Sequence, residues 1–296
     1  MNAQFSCLWQ NKMHKKASAA IVSLWVLVVL ALLVVSISQR VSLALKLSRY
    51  HKDRLEAFGL AKAGVNRAIV EILNDETLNY DSLEDKWADN EQTIFNVIDA
   101  ESKININTAP REMLIELLDR VKVSNSSEIA NNICAWRGDI DAASVDAASV
   151  DYQDLGYANK AAHFSRSEEL ILVKGITPEI YNLVKELITA YGTGKININT
   201  ASSETLEILS GYCARKGADL NFPVDLAVKI IGLRHEGAVF ETLDDVKLEF
   251  TQGQAEVLNN VADVKSTCFY IRPNGKINIQ AVFDRDNKKI IYWHES

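Results

Sequence analysis

The chain has 296 residues, of which 48% are apolar and 24% charged, and its formal net charge is -7. That length allows one or two domains with a sizeable core, and only four prolines and thirteen glycines exclude a low-complexity chain. The acidic balance argues against a polyanion partner, because nucleic-acid affinity rests on basic residues that displace counterions.

Residues 1–17 are polar and basic, with Lys12, His14, Lys15 and Lys16 just ahead of an apolar run. The run Ser18 to Ser38 carries no charge over 21 residues. As a helix at ~1.5 Å per residue it reaches roughly 30 Å, enough to cross the hydrocarbon of a bilayer. The lysines before it predict an N-terminus in the cytoplasm and everything after Ser38 outside. Three readings fit this pattern. One is a plain signal anchor. Another is a signal peptide cut after Ser36-Ile37-Ser38. The third is a leader cut between the basic stretch and the helix, which leaves the helix on the mature chain.

The residues after Ser38 favour the third. No proline occurs from Gln39 to Asn74, and the first glycine is Gly59. Leu55, Phe58, Val65, Ala68, Ile69 and Ile72 recur at three-, four- and seven-residue steps among charged neighbours, an amphipathic stripe. One helix is therefore predicted from about Ser18 to Asn74, apolar all round in its first half and one-sided in its second.

Residues 77–90 are polar and turn-like. TIFNVIDAESKININ then reads as a hairpin, with Ile94, Val97 and Ile98 on one arm and Ile104 and Ile106 on the other. KININTA occurs at 103–109 and again at 195–201, and the likeness continues in Glu112/Glu204, Leu114/Leu206 and Leu117/Leu209. Both copies predict an extended segment, a threonine cap and a helix. A partial third echo, GKINIQAVF, begins at Gly275. Helices are expected at 111–121, 128–137, 167–173, 178–191, 203–209, 224–234, 242–248 and 253–261. Strands are expected at 266–271, 276–283 and 288–293, joined as a meander by Pro273-Asn274-Gly275 and Asp284–Asn287.

Sequence patterns for catalysis are absent: there is no GxSxG, HExxH or P-loop, and the five histidines are scattered. Glu168-Glu169 and Asp244-Asp245 read as solvated or helix N-terminal charges. Cys7, Cys134, Cys213 and Cys268 form no CxxC pair, so zinc is not indicated, and the choice between buried thiols and a disulfide stays open. Asp139, Asp141, Asp146, Asp151 and Asp154 lie in one stretch. Calcium takes roughly six to eight oxygens, which closely spaced aspartates supply. The ASVDAASVD repeat within it also reads as a solvated linker.

A basic leader, an apolar half-helix and an amphipathic half-helix together resemble a type IV pilin or pseudopilin. The segment KASAAIVSLWVLVVLALL is similar, more narrowly, to minor pseudopilin K of type II secretion, the general secretion pathway protein K. SKININTAP, AWRGDID, SRSEELILVKGITPEIYNLV and GKININTASSETLEIL resemble the same family, in its order, from about Lys16 to Trp293. The resemblance implies an α+β fold: a pilin-like long helix and small antiparallel sheet, with a large all-helical, SAM-like or helix-hairpin-helix-like domain inserted between strands. It divides the chain into a leader (1–17), a transmembrane half-helix (18–38) and an amphipathic half-helix (39–74). The first part of the α/β domain (75–106), the helical insertion (107–262) and the closing strands (263–296) complete it.

The resemblance also implies a cut between Ala17 and Ser18 by a prepilin peptidase and N-methylation at Ser18. Ala17 stands where the family usually has glycine. Val22 stands where most pilins have a glutamate that neutralises a neighbour's N-terminal amine. Lacking it is similar to K-type subunits and fits one with nothing above it in the filament. Further implications are no enzymatic activity, no required cofactor, and calcium at the aspartates after Trp136-Arg137. Expected partners are other minor pseudopilins, the major pseudopilin, the peptidase and the bacterial inner membrane. The folded part would lie in the periplasm, at the pseudopilus tip. Val22, Leu55, Phe58, Val65, Ile69 and Ile72 are the expected assembly residues.

The alternative is a single-span anchored protein whose helix-hairpin-helix-like LVKGITPEIYNLV binds nucleic acid or protein. Against nucleic acid, the second glycine of that turn is missing, and residues 107–262 hold 14 Lys/Arg against 23 Asp/Glu.

Overall fold

The computed structural model describes residues 3–77, 79–88, 95–139, 156–216, 226–247 and 250–295, with backbone alone for 3–19. Two compact units divide the chain, Met1–Gly59 and Leu60–Ser296. Helix α1, Ala3–Leu73, makes up the first unit and ends in the second. It starts ahead of the expected Ser18 because residues 3–17 contain neither glycine nor proline to stop it.

In the second unit, Ala61, Gly64, Val65, Ala68 and Ile72 form one buried face at helical spacing. Beyond it come β1 (Phe95–Asp99), a 3-10 turn (Ala100–Ser102), β2 (Ile104–Asn105), α2 (Arg111–Arg120) and α3 (Ser126–Trp136). Next are a 3-10 helix (Ser167–Leu172), α4 (Pro178–Val184), β3 (Ile188–Thr189) and β4 (Ile196–Asn197). Helices α5 (Ser203–Lys216), α6 (Leu226–His235), α7 (Asp244–Lys247) and α8 (Gln252–Val261) lead to β5 (Ala262–Asp263). β6 (Cys268–Pro273), β7 (Ile279–Asp284) and β8 (Lys289–Glu295) close the chain.

The main sheet has the order β1-β6-β7-β8, with every pair antiparallel. The α+β class expected from the sequence is therefore the one found, a long helix and a small antiparallel sheet with helices between the first strand and the rest. The expected hairpin is not. β1 pairs with β6, Phe95 opposite Pro273, while β2 leaves the sheet and pairs in parallel with β3. The cause is local. Asp99 caps the 3-10 turn by accepting from the Glu101 amide at 2.7 Å, which diverts the chain before a two-strand return can form. Ile94 lies outside the described residues.

The two KININTA copies begin two structural repeats. In the first, β2 leads to α2 and α3, a 3-10 helix and α4, and β3 returns beside β2. In the second, β4 leads to α5, α6, α7 and α8, and β5 returns beside β4. The same bonds hold each repeat. Asn105 and Asn197 accept from the amides of Asn107 and Asn199 at 2.9 and 3.0 Å. Asn107 grips both backbone groups of Phe164, at 2.7 and 3.0 Å, and Asn199 grips those of Phe240, at 2.9 and 3.0 Å. Arg137 donates to the Ile106 carbonyl at 2.8 Å and Arg234 to that of Ile198 at 3.4 Å. The Ile-Asn alternation thus buries isoleucines in the core and turns asparagines into surrogates for missing strand partners.

Three expectations at helix ends are corrected. α4 stops at Val184, not Tyr191, because Ile188 and Thr189 are taken by β3. The repeat threonines are not caps: α2 begins after Pro110 without a side-chain cap, and Ser202 caps α5 by accepting from the Thr205 amide at 3.1 Å. Thr200 instead donates to Asp99. One apolar core serves both repeats, with Leu114, Ile133 and Leu170 of the first joined to Leu206, Ile230 and Leu258 of the second. Each such side chain contributes about 1.5–3 kcal/mol through burial.

Candidate functional site

The first functional surface is α1. From Ile21 to Leu47 its large apolar side chains are all exposed, Val22 at 59% among them. Its turns from Ile21 up to Gln39, free of charge and exposed on every side, are unstable in water and suited to lipid, and α1 is long and apolar enough to span a membrane. Of the expected assembly residues beyond the span, Leu55 is 71% exposed and Phe58 half-buried. Val65 and Ile72 are 0% and 1% exposed and Ile69 is half-buried. The periodicity is real, but its C-terminal part is spent on the chain's own core. The open face of these last turns carries Leu60, Val70 and Leu73, a set the stripe did not include.

The second surface is acidic. Asp139 is exposed and engaged by Arg137, whose Nε donates to it at 2.6 Å, while the rest of Arg137 is buried beneath. Asp141, Asp146, Asp151 and Asp154 lie outside the described residues. The first repeat carries this stretch between α3 and Phe164, where the second repeat needs only a short turn before Phe240. A different carboxylate group went unseen in the sequence. Asp75, Asp81 and Asp85 bring oxygens within 4.8 Å of one another. They are held by protein donors: Trp87 Nε1 on Asp75 at 3.1 Å, the Ser82 amide on Asp85 at 2.7 Å, and both Arg285 nitrogens on Asp81 at 2.6 and 2.7 Å. Burial raises the Asp81 carboxyl despite Arg285 beside it, and burial raises Asp85 as well.

A third feature is the turn after β1. Asp99 and Glu101 are both buried. Asp99 Oδ2 accepts from Ser266 Oγ at 2.6 Å, Thr200 Oγ1 at 2.5 Å and Asn197 Nδ2 at 3.1 Å. Glu101 accepts from the Thr193 amide and hydroxyl and from the Thr267 amide and hydroxyl. Burial pushes Asp99 up to about 7 against the pull of Ser266 and Thr200, with the Glu101 charge adding to the rise. Glu101 is raised by burial too. The Thr193 loop needs glycine on both sides. Gly192 and Gly194 have φ of +96° and +94°, and a Cβ on Gly192 would sit 2.6 Å from Glu101 Cγ.

The helix-hairpin-helix-like turn keeps a glycine at Gly175, with φ +92°, but Ile176 beside it is buried. Thr177 caps α4 through the Ile180 amide. The cavity beside the second repeat, about 300 Å³, mixes signs, with Glu84 facing Arg234 and His235. Neither place gathers the basic charge that phosphates need. Cys134, Cys213 and Cys268 are free and buried, and burial pushes the thiols of Cys213 and Cys268 up to about 12, so they behave as core residues.

Residues 93–193 match the family described as type II secretion system (T2SS), protein K, a segment that spans β1 and the first repeat. No curated protein matches the sequence of the chain. Among solved structures, a chain in the crystal structure of the GspK-GspI-GspJ complex from the enterotoxigenic Escherichia coli type 2 secretion system is similar in fold. Its TM-score is 0.68 at 16% identity, covering 84% of this chain and 99% of that one. The segment similar to protein K is thus set in a fold of that shape, behind a helix long and apolar enough to span a membrane.

Proposed function

We propose that the chain is a K-type minor pseudopilin of type II secretion, anchored in the inner membrane with its N-terminus in the cytoplasm, freed of its leader between Ala17 and Ser18, and placed at the tip of a pseudopilus. The observation that carries this reading is α1 itself, which passes without a break from an all-round apolar span into turns with a buried face and an open face. Such a helix suits lateral packing with other subunits' helices first and folding of its own domain second. Val22 offers no carboxylate to a neighbour's amine, and the helical insertion between β1 and β6 adds bulk that a shaft position would have to accommodate. Both fit a terminal subunit. The neighbouring structure contains the K protein with GspI and GspJ, so the partners proposed for this chain are two other minor pseudopilins, with the major pseudopilin below them.

Two measurements test this. Mass spectrometry of the mature chain should give an N-terminus at Ser18; a start at Gln39 would mean a secreted protein, and an intact Met1 a plain anchor. Leu55→Asp should lower co-purification of the partner pseudopilins roughly tenfold, the effect of one lost contact of about 1.4 kcal/mol, while the melting curve stays unchanged. Capture at the unsubstituted level would place the interface elsewhere.

A further inference from the structure

We infer that the Asp99–Glu101 turn is a proton-loaded rivet, which ties the sheet to the helical insertion more tightly as the pH falls from neutral to mildly acid.

The geometry comes first. Two carboxylates on one short turn receive donors from three separate places. These are the second KININTA copy (Asn197, Thr200), the link between the repeats (Thr193), and the passage from β5 into β6 (Ser266, Thr267). Among the described residues no lysine, arginine or histidine ion-pairs with either carboxylate. The titratable groups that face them are an acid and a thiol. Asp81 shares Ser266 and Asn197 with Asp99, and Cys268 lies close to Glu101. The nearby cations are engaged elsewhere: Arg285 with Asp81, Lys103 with Glu186, and Lys195 with Asp263.

The donors also suit a proton. Hydroxyls of Ser266, Thr200, Thr193 and Thr267 both donate and accept, so each can rotate to receive a carboxylic O–H; an ammonium or guanidinium could not. Burial favours the neutral acid over the anion at both positions, and most at Asp99, raised from 3.8 to about 7. Between those two values the folded chain binds more protons than the unfolded chain. Stability is therefore full below the unfolded value and is lost as the pH rises toward the folded one.

The test uses the full chain in detergent micelles, unfolded with denaturant between about pH 5 and pH 8. The folding equilibrium constant should drop by up to roughly tenfold per pH unit below about pH 7 for a single such group. Asp99→Asn should flatten that slope, and Glu101→Gln should reduce it. A second readout needs no substitution: the Asp99 carboxyl-carbon chemical shift should titrate near neutrality. An Asp99 shift that titrates near 4, or a slope left intact by both substitutions, overturns the proposal.

Discussion

Arg285→Ala should cost the second unit about 3–5 kcal/mol, the usual loss when one partner of a buried charge pair is removed. Asp81 is fully buried, and Arg285 meets both of its oxygens, at 2.6 and 2.7 Å. The same guanidinium donates to the Ser266 carbonyl and lies 5.2 Å from the ring centroid of Phe269, which packs edge-on against the buried Trp87. Alanine would strip the carboxylate of its only ion pair among the described residues and loosen that aromatic pair. The loss should shrink in acid. Without the cation Asp81 rises further, and a raised carboxyl favours the folded state at low pH. Denaturant titrations at two pH values measure this. Equal losses at both would mean that Phe269 packing, not the Asp81 charge, dominates.

Asn199→Ala should cost about 2–4 kcal/mol, and Asn107→Ala a similar amount. Each asparagine serves the N–H and C=O of one buried backbone residue, Phe240 or Phe164. Truncation leaves both groups without a partner, at roughly 1–3 kcal/mol each. The matching penalties are the experimental signature of the duplication. A loss below about 1 kcal/mol at either site would show that solvent takes over the asparagine's role there.

The long apolar helix was legible in the sequence because a charge-free run of 21 residues has few uses. The heptad-like stripe after it was legible too, but periodicity reports burial without naming what does the burying. Val65 and Ile72 face their own domain, and Leu60, Val70 and Leu73 face outward. The KININTA repeat announced a shared local structure, yet its asparagines looked like the polar side of a strand. The signal present was that both copies place two asparagines among isoleucines, so all four had to be reconciled with a core. Pairings such as Asp81 with Arg285, or Asp99 with Ser266, join residues far apart in the chain, and no local pattern records them. The hairpin reading failed for the same reason: β1's partner is β6, on the far side of the helical insertion.

That separation of β1 from β6 has a kinetic consequence. During synthesis β1 emerges with its partner still the whole insertion away, and loop closure over such a length is costly until the ends are brought near. The repeats supply the means. Each carries its own closing strand pair, β2 with β3 and β4 with β5, and β5 runs almost directly into β6. Folding of the second repeat therefore delivers β6 toward β1. The sheet is therefore expected to be completed last, and until then β1 waits without its partner strand, open to a chaperone.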